Sequence, residues 1–270
     1  MHPIFYVFGL ELPAYGLSLI FGALAAYGLG VFLARKKGDA LVRENFSYIF
    51  LIAIGAALAG AFLFRPLTKI VEVAIHWNAA KHWTAEALVY YLFGEMVFYG
   101  GVIGGFLGIL FFCRKFHIPL LPMLDVAAAP LALGHALGRI GCLMGGCCYG
   151  QEVCAAHPFA IVYPEVSLGA PPNVPLLAVP LLEAVFLVIL AIALALLFVR
   201  ARQRGLTVAV YLLAYSVWRF VLEFFRGDAV RGVYAGLSTS QYVSLALFLF
   251  GIGVILYIVR KNRGGQENVL

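Results

Sequence analysis

The chain has 270 residues, of which 63% are hydrophobic and only 12% charged, and its mean hydropathy is +0.97. Soluble domains carry about 25% charged and roughly 45–50% apolar residues, so this composition excludes a soluble globular protein and a disordered one, and lipid must be part of the solvent. The net charge of +6 would suggest nucleic acid in a soluble protein. In a membrane protein the question is where along the chain the Lys and Arg fall, and no nucleic-acid partner is expected.

A helix needs about 20 mostly apolar residues to cross a bilayer core of about 30 Å. Seven stretches qualify: 13–34, 46–64, 95–113, 120–137, 176–199, 208–225 and 238–259. The third and fourth are the shortest, and both are rich in Gly or Ala, which suits close helix packing. Met1, His2 and Pro3 supply no basic region, and the first span has no small-residue cleavage site after it, so no secretory signal is expected. If the N-terminus is outside, the inside loops hold Arg35, Lys36, Lys37, Arg43, Arg114, Lys115, Arg200, Arg202, Arg204, Arg260, Lys261 and Arg263, twelve of the nineteen Lys and Arg. That bias places the N-terminus outside and the C-terminus inside, periplasmic and cytoplasmic in a bacterial inner membrane.

The expected architecture is therefore an all-α integral membrane protein, one domain over residues 1–270 with seven transmembrane helices. Its long outside segments are about 65–94, where Trp77 and Trp83 suggest interfacial helices, and 138–175, a small irregular periplasmic cap. The inside loops are short and basic, so chemistry is expected on the outer side. No convincing internal repeat points to a transporter.

Three stretches need explanation. In the third span Gly100, Gly104 and Gly108 repeat every four residues, with Gly101 and Gly105 beside them. Such ridges admit a neighbouring helix or a lipid chain close to the backbone. Helix packing is the plainer reading, a ligand groove the other, and Glu95 and Tyr99 lie one turn apart at the outer end. The fourth span runs into Gly134, Gly138, Gly141, Gly145, Gly146 and Gly150. Glycine this dense is costly in a helix, so the helix is expected to unwind around Gly138–Gly146. Arg139 would then bind an anion together with free backbone N–H groups, or else snorkel to the interface. In the sixth span Tyr215, Arg219 and Glu223 stack on one helix face, with Arg226 near it. A mid-helix charge costs about 2.5–3.5 kcal/mol on insertion scales and faces the bundle interior. Either Arg219 and Glu223 form an internal salt bridge that locks helices, or Arg139 and Arg219 share an outward cavity and clamp a phosphate.

Cys113 lies on the inside, whereas Cys142, Cys147, Cys148 and Cys154 crowd the outer cap. Oxidising surroundings allow disulfides there. Adjacent Cys147 and Cys148 do not suit a regular zinc site, and His76, His82, His117, His135 and His157 show no metal-ligand spacing. A disulfide or small-residue packing is expected, with no metal and no cofactor.

Together these residues resemble the bacterial prolipoprotein diacylglyceryl transferase family. The resemblance runs nearly end to end: Met1-His2-Pro3-Ile4, Tyr15-Gly16-Leu17, Tyr99 to Gly105, Gly138-Arg139-Ile140-Gly141 opening a signature that closes at Gly150, then Tyr215, Arg219-Phe220, Glu223 to Arg226, Asp228 and Ser238 to Gln241. It implies an inner-membrane enzyme that moves the diacylglyceryl group of phosphatidylglycerol to the lipobox cysteine thiol of a preprolipoprotein signal peptide, releasing glycerol 1-phosphate. It also implies roles. Arg139 and Arg219 would bind the lipid phosphate, Tyr215 would orient substrate or Arg219, and Glu223 would hold Arg219. Tyr15 would line the cavity, and Tyr99 stands where the family often has a His proposed as base. Gly100, Gly101, Gly138, Gly150, Glu183 and Arg226 complete the implied substrate-binding set. The chain departs from the family at Cys142, Gly145 and Cys147, where Asn, Asn and Glu are common, and at Leu182, where Tyr is usual. Two other functions fit the same residues: a phosphatidylglycerol-dependent transferase with a different acceptor, and a non-enzymatic protein that binds anionic lipid.

Overall fold

The computed structural model describes the chain except residues 1–3, 8–9, 76–83, 94–96, 166, 229–232 and 268–270. It is mostly helical, and its helices divide between two compact units, one formed by Met1–Gly38 with Leu121–Leu270 and one by Asp39–Leu120.

The first unit opens with an antiparallel hairpin, β1 (Ile4–Val7) and β2 (Leu10–Pro13), which feeds α1 (Ala14–Lys37). Its other long helices are α5 (Leu120–Gly145), α6 (Val179–Arg200), α7 (Leu206–Leu222) and α8 (Thr239–Glu267). Two short hairpins interrupt them: β3 (Ala160–Val162) with β4 (Pro175–Leu177), and β5 (Val233–Tyr234) with β6 (Leu237–Ser238). The second unit consists of α2 (Ala40–Ile75), α3 (Ala85–Phe93) and α4 (Phe98–Lys115).

Six helices among the described residues are long and apolar enough to cross a membrane: Ala14–Lys37, Ala40–Leu67, Leu120–Gly145, Val179–Arg200, Leu206–Phe225 and Thr239–Lys261. Their outward faces carry Ile20, Phe21, Leu24, Leu51, Leu63, Ile189, Ile192 and Leu249, all exposed. Bare apolar side chains in such numbers are unfavourable in water and natural in hydrocarbon. The chain is a multi-pass membrane protein. The expected third span corresponds to α4, which is not among the six; it ends on Arg114 and Lys115, which leaves an apolar stretch of about 24 Å at 1.5 Å per residue.

Two boundaries differ from the sequence reading. The second span lies inside a 36-residue helix that passes through Arg65 and Pro66 as far as Ile75. Arg65 is held where interfacial structure was expected, its Nε donating to Tyr91 O at 2.9 Å. Trp77, Trp83 and Glu95 lie outside the described residues. The second boundary is in α5, which does not unwind at Gly138. It stays helical to Gly145 and stops at Gly146, whose φ is +75°, so the irregular segment begins at 146 rather than 138.

The glycines explain the continuity. Gly134, Gly138, Gly141 and Gly145 share one face of α5, and that face packs on other elements of the same unit. A Cβ on Gly134 would sit 3.3 Å from Ala26 Cβ, one on Gly141 2.9 Å from Ser18 Cβ, and one on Gly145 3.1 Å from Leu168 Cδ1. Packing of a helix face outweighs the intrinsic cost of glycine, about 1 kcal/mol per residue. In the second unit the same device joins α2 and α4: a Cβ on Gly60, Gly100 or Gly104 would run into the facing backbone. The glycine ridge of the third span is a helix–helix seam.

In the first unit, polar caps sit at the ends where the sequence placed the basic loops. Lys37 Nζ donates to Phe198 O at 2.7 Å and also to Ala201 O, closing the C-terminus of α6. Asp125, buried in α5, accepts from the Gly205 and Val208 amides and caps α7. A cation at a helix C-terminus and a carboxylate at an N-terminus both complement the helix dipole.

Candidate functional site

At the opposite ends of the helices of the first unit, α1, α6 and α8 begin while α5 and α7 finish. This arrangement collects Tyr15, Arg139, Glu183, Tyr215, Arg219 and Ser240, which come from five separate stretches of sequence.

Glu183 is the hub. It sits one turn into α6 and is completely buried, where the positive end of the helix dipole favours its charge. Its Oε2 lies 3.0 Å from Arg139 Nε, and its Oε1 accepts from the Tyr215 hydroxyl at 3.0 Å. The Arg139 Nε–H itself donates to His135 Nε2 at 3.3 Å, one turn back along α5. His135 therefore presents an unprotonated Nε2 to the guanidinium, and the carboxylate supplies the opposing charge. Tyr215 is held by ring contacts, stacked on Tyr211 with centroids 5.9 Å apart and edge-on to His135 at 5.2 Å, which aims its hydroxyl at Glu183. A buried carboxylate needs this paired environment, since an isolated one would cost several kcal/mol.

Arg219 lies one turn beyond Tyr215 on α7. It too is buried, and its Nη2 contacts Glu223 Oε2 at 2.6 Å and donates to Ser240 Oγ at 3.2 Å. Its Nη1 is buried with no hydrogen-bond partner among the described residues. The salt bridge expected between Arg219 and Glu223 is present, and it leaves part of the guanidinium uncommitted. The charge of Arg219 also reaches Glu183 and His135, so both guanidiniums act in one electrostatic environment. Arg139 neither snorkels nor meets unwound backbone. Its neighbours are side chains, and the expected anion site of free N–H groups at Gly138–Gly146 is replaced by helical backbone whose N–H groups are used within the helix.

The remaining expected residues fall into three places. Tyr15, half-exposed at the start of α1, lies with its ring edge over Gly141, and Gly138 has only Leu19 Cδ2 near it, at 3.6 Å. Gly150 is buried where three chain segments meet. Its N–H donates to Leu177 O at 2.9 Å, it bridges Arg226, and a Cβ there would come within 2.7 Å of Leu177 and Val179. Arg226 clamps Asp228 with two parallel bonds of 2.8 and 2.6 Å, and the loop after α7 is fixed against 149–151 by the Gln151 N–H donating to Phe225 O and the Gly227 N–H to Tyr149 O. Tyr99, Gly100 and Gly101 belong to the second unit, at the start of α4, with Gly100 inside the seam with α2.

Beyond α5 the backbone curls through two left-handed residues, Gly146 and Cys148 with φ +75° and +61°. This brings Cys142, Cys147 and Cys148 together, with all three sulfurs within 4.8 Å of one another, and none of the three is in a disulfide. The disulfide expectation is not met among them. Cys148 is held well below the ordinary thiol range by hydrogen bonds from Cys142 and Cys147 and by the charges of Arg226 and Arg139. The same bonds, with burial, push Cys147 up. Tyr163, buried beside Gly146, is pushed up to about 12 by burial and by the neighbouring sulfurs.

Sequence reasoning passed over His135, Asp125 and Ser240. His135 sits one turn from Arg139, a spacing that could have flagged it. Ser240 was within a stretch that carried the resemblance. It lies inside a reciprocal cap in which Ser238 N–H donates to Gln241 Oε1 and Gln241 N–H to Ser238 Oγ, the S-x-x-Q pattern of a capping box.

Residues 3–257 match the family described as prolipoprotein diacylglyceryl transferase. The phosphatidylglycerol--prolipoprotein diacylglyceryl transferase 2 of Clostridium perfringens is 33% identical over 97% of this chain and 96% of its own length. The phosphatidylglycerol--prolipoprotein diacylglyceryl transferase of Clostridium tetani is 32% identical over 94% and 96%, and that of Geobacter sulfurreducens 32% over 97% of each. The chain belongs to the prolipoprotein diacylglyceryl transferase family.

Proposed function

We propose that the protein transfers the diacylglyceryl group of phosphatidylglycerol to a cysteine thiol in the lipobox of a preprolipoprotein signal peptide and releases glycerol 1-phosphate. The observation that carries this reading is the pair of carboxylate-held guanidiniums in one unit, the largely buried Arg139 on Glu183 and the buried Arg219 on Glu223. A buried cation positioned by a carboxylate stays charged and needs no reorganisation when an anion develops beside it. Arg219, with an uncommitted Nη1, binds the lipid phosphate. Arg139 stabilises the phosphate monoester as the carbon–oxygen bond breaks. Tyr215 and His135 act through Glu183 and Arg139, as positioning residues. Tyr15, Gly138, Gly150 and Arg226 shape the approach. In the same reading α4 is the seventh span, and the protein lies in the bacterial inner membrane. Its N-terminus and the 146–178 segment face the periplasm, and its C-terminus faces the cytoplasm.

The test is direct. Purified protein given phosphatidylglycerol and a lipobox peptide is expected to yield a thioether-linked diacylglyceryl peptide with one glycerol phosphate released per peptide, read by mass spectrometry. Arg139→Ala and Arg219→Ala are each expected to lose at least about 100-fold in rate, about 2.7 kcal/mol. Ordinary turnover in either variant removes the phosphate clamp. A second acceptor reading is favoured by one observation, the replacement of polar family positions by Cys142 and Cys147. It predicts glycerol phosphate release that the lipobox peptide does not stimulate. Phospholipid bound and recovered intact would point to lipid binding alone.

A further inference from the structure

The function proposed above leaves the three converging thiols without a role. We propose that Cys142, Cys147 and Cys148 form a trithiolate zinc site whose fourth coordination position takes the acceptor's cysteine thiol. This inference rests on the proposed function for the identity of that fourth ligand, but not for the site itself.

The geometry fits. Zinc–sulfur bonds of about 2.3 Å in a tetrahedron place the sulfurs about 3.8 Å apart. The three sulfurs already lie within 4.8 Å of one another, so side-chain rotation closes the remainder. The chain adopts an unusual backbone to bring them there: Cys148 takes a left-handed conformation that L-residues rarely occupy. The site is one-sided. Cys142 is buried whereas Cys147 and Cys148 are partly open, and among the described residues no fourth His, Cys, Asp or Glu joins the group. Three protein ligands and an open position mark a reactive zinc rather than a structural one. Cys154 is exposed and lies outside the cluster.

The surroundings suit the net negative charge of a zinc trithiolate. The charges of Arg226 and Arg139 act on Cys148, and the Tyr163 hydroxyl, almost wholly buried beside Gly146, has no hydrogen-bond partner among the described residues. A soft all-sulfur donor set selects zinc or another thiophilic ion over magnesium or calcium. The acceptor is itself a thiol. On zinc it gives up its proton to water and remains a thiolate nucleophile. That thiolate forms the new carbon–sulfur bond as the carbon–oxygen bond to phosphate breaks, and the electron pair leaves with glycerol phosphate, now a phosphate monoester. The site thereby supplies the thiolate nucleophile itself.

The experiment uses full-length protein in nanodiscs. Wild type loaded with zinc and desalted is expected to hold one zinc per chain by elemental mass spectrometry, and so is Cys154→Ser. Cys147→Ser and Cys148→Ser are expected to lose it, while Cys147→His, which restores a ligand, retains it. Cobalt in place of zinc is expected to show sulfur-to-cobalt charge transfer that shifts with a lipobox peptide carrying cysteine and not with its serine counterpart. A wild type that holds no metal, equal zinc in the Cys→Ser variants, a Cys142–Cys147 disulfide found by alkylation mapping, or a cobalt spectrum indifferent to the cysteine peptide each overturns the proposal. Diacylglyceryl transfer on the same preparations separates the two readings. Full transfer by zinc-free protein overturns the zinc site and leaves the function standing. Zinc bound as described with no transfer to any lipobox peptide overturns the function and leaves the metal site standing.

Discussion

At the scale of single residues, the site is governed by how two arginines shielded from water are kept charged and aimed. Glu183 is wholly buried and serves Arg139 and Tyr215 at once. Removing one partner of a buried ion pair strands the other, at about 3–5 kcal/mol. Glu183→Gln is therefore expected to lower thermal stability as well as activity, because it keeps the shape and removes the charge. The coupling between Arg139 and Glu183 can be isolated in a double-mutant cycle with Arg139→Ala and Glu183→Ala. Contacting charged residues couple by about 0.5–3 kcal/mol, and strict additivity in unfolding free energy would show that the 3.0 Å contact carries no energy. The arginines were legible in the sequence because charge at membrane depth is costly and therefore conspicuous. Glu183 was visible only through the family resemblance, and its partnership with Arg139 joins positions 139 and 183, which no local periodicity relates.

At the scale of elements, the informative residue is glycine. Its density around Gly138 predicts a broken helix on intrinsic propensity, yet α5 continues to Gly145, because the missing side chains are what lets α1 approach. Propensity is a local quantity and the seam is a tertiary one. That is why the span itself was legible and its end was not. The seam makes a prediction with a built-in control. A Cβ on Gly22 would sit 3.0 Å from Gly134 O and 3.3 Å from Leu137 Cβ, whereas one on Gly28, in the same helix, meets nothing within 4 Å. Gly22→Val is expected to cost about 1–3 kcal/mol through overpacking and to lower activity by displacing Tyr15 and Arg139. Gly28→Ala is expected to be neutral or slightly stabilising. Equal thermal shifts in the two variants would mean that the α1–α5 crossing is not a tight one.

At the scale of the whole molecule, the proposed orientation rests on charge placement. In the first unit the helix ends that gather Arg139, Arg219 and the thiols are opposite those that carry Lys37, Arg200, Arg202 and Arg204. Arg139 and Arg219 are paired with acids inside the protein and contribute little to topology. The cations exposed at the other end carry the bias that the positive-inside rule reads. Lys37 does both jobs there, adding to the basic end while closing the last turn of α6. Short-loop cations fix insertion, so the 146–178 segment is expected on the periplasmic side and the α6–α7 turn in the cytoplasm. An alkaline phosphatase fused after Ala156 should be active and one fused after Arg202 silent, with a green fluorescent protein giving the reverse. Replacing Arg200, Arg202 and Arg204 together with Ser should weaken that contrast without touching the buried guanidiniums. Phosphatase activity at Arg202 in the unaltered protein would invert the topology and place the arginine site on the cytoplasmic side, where a secreted acceptor could not reach it after export.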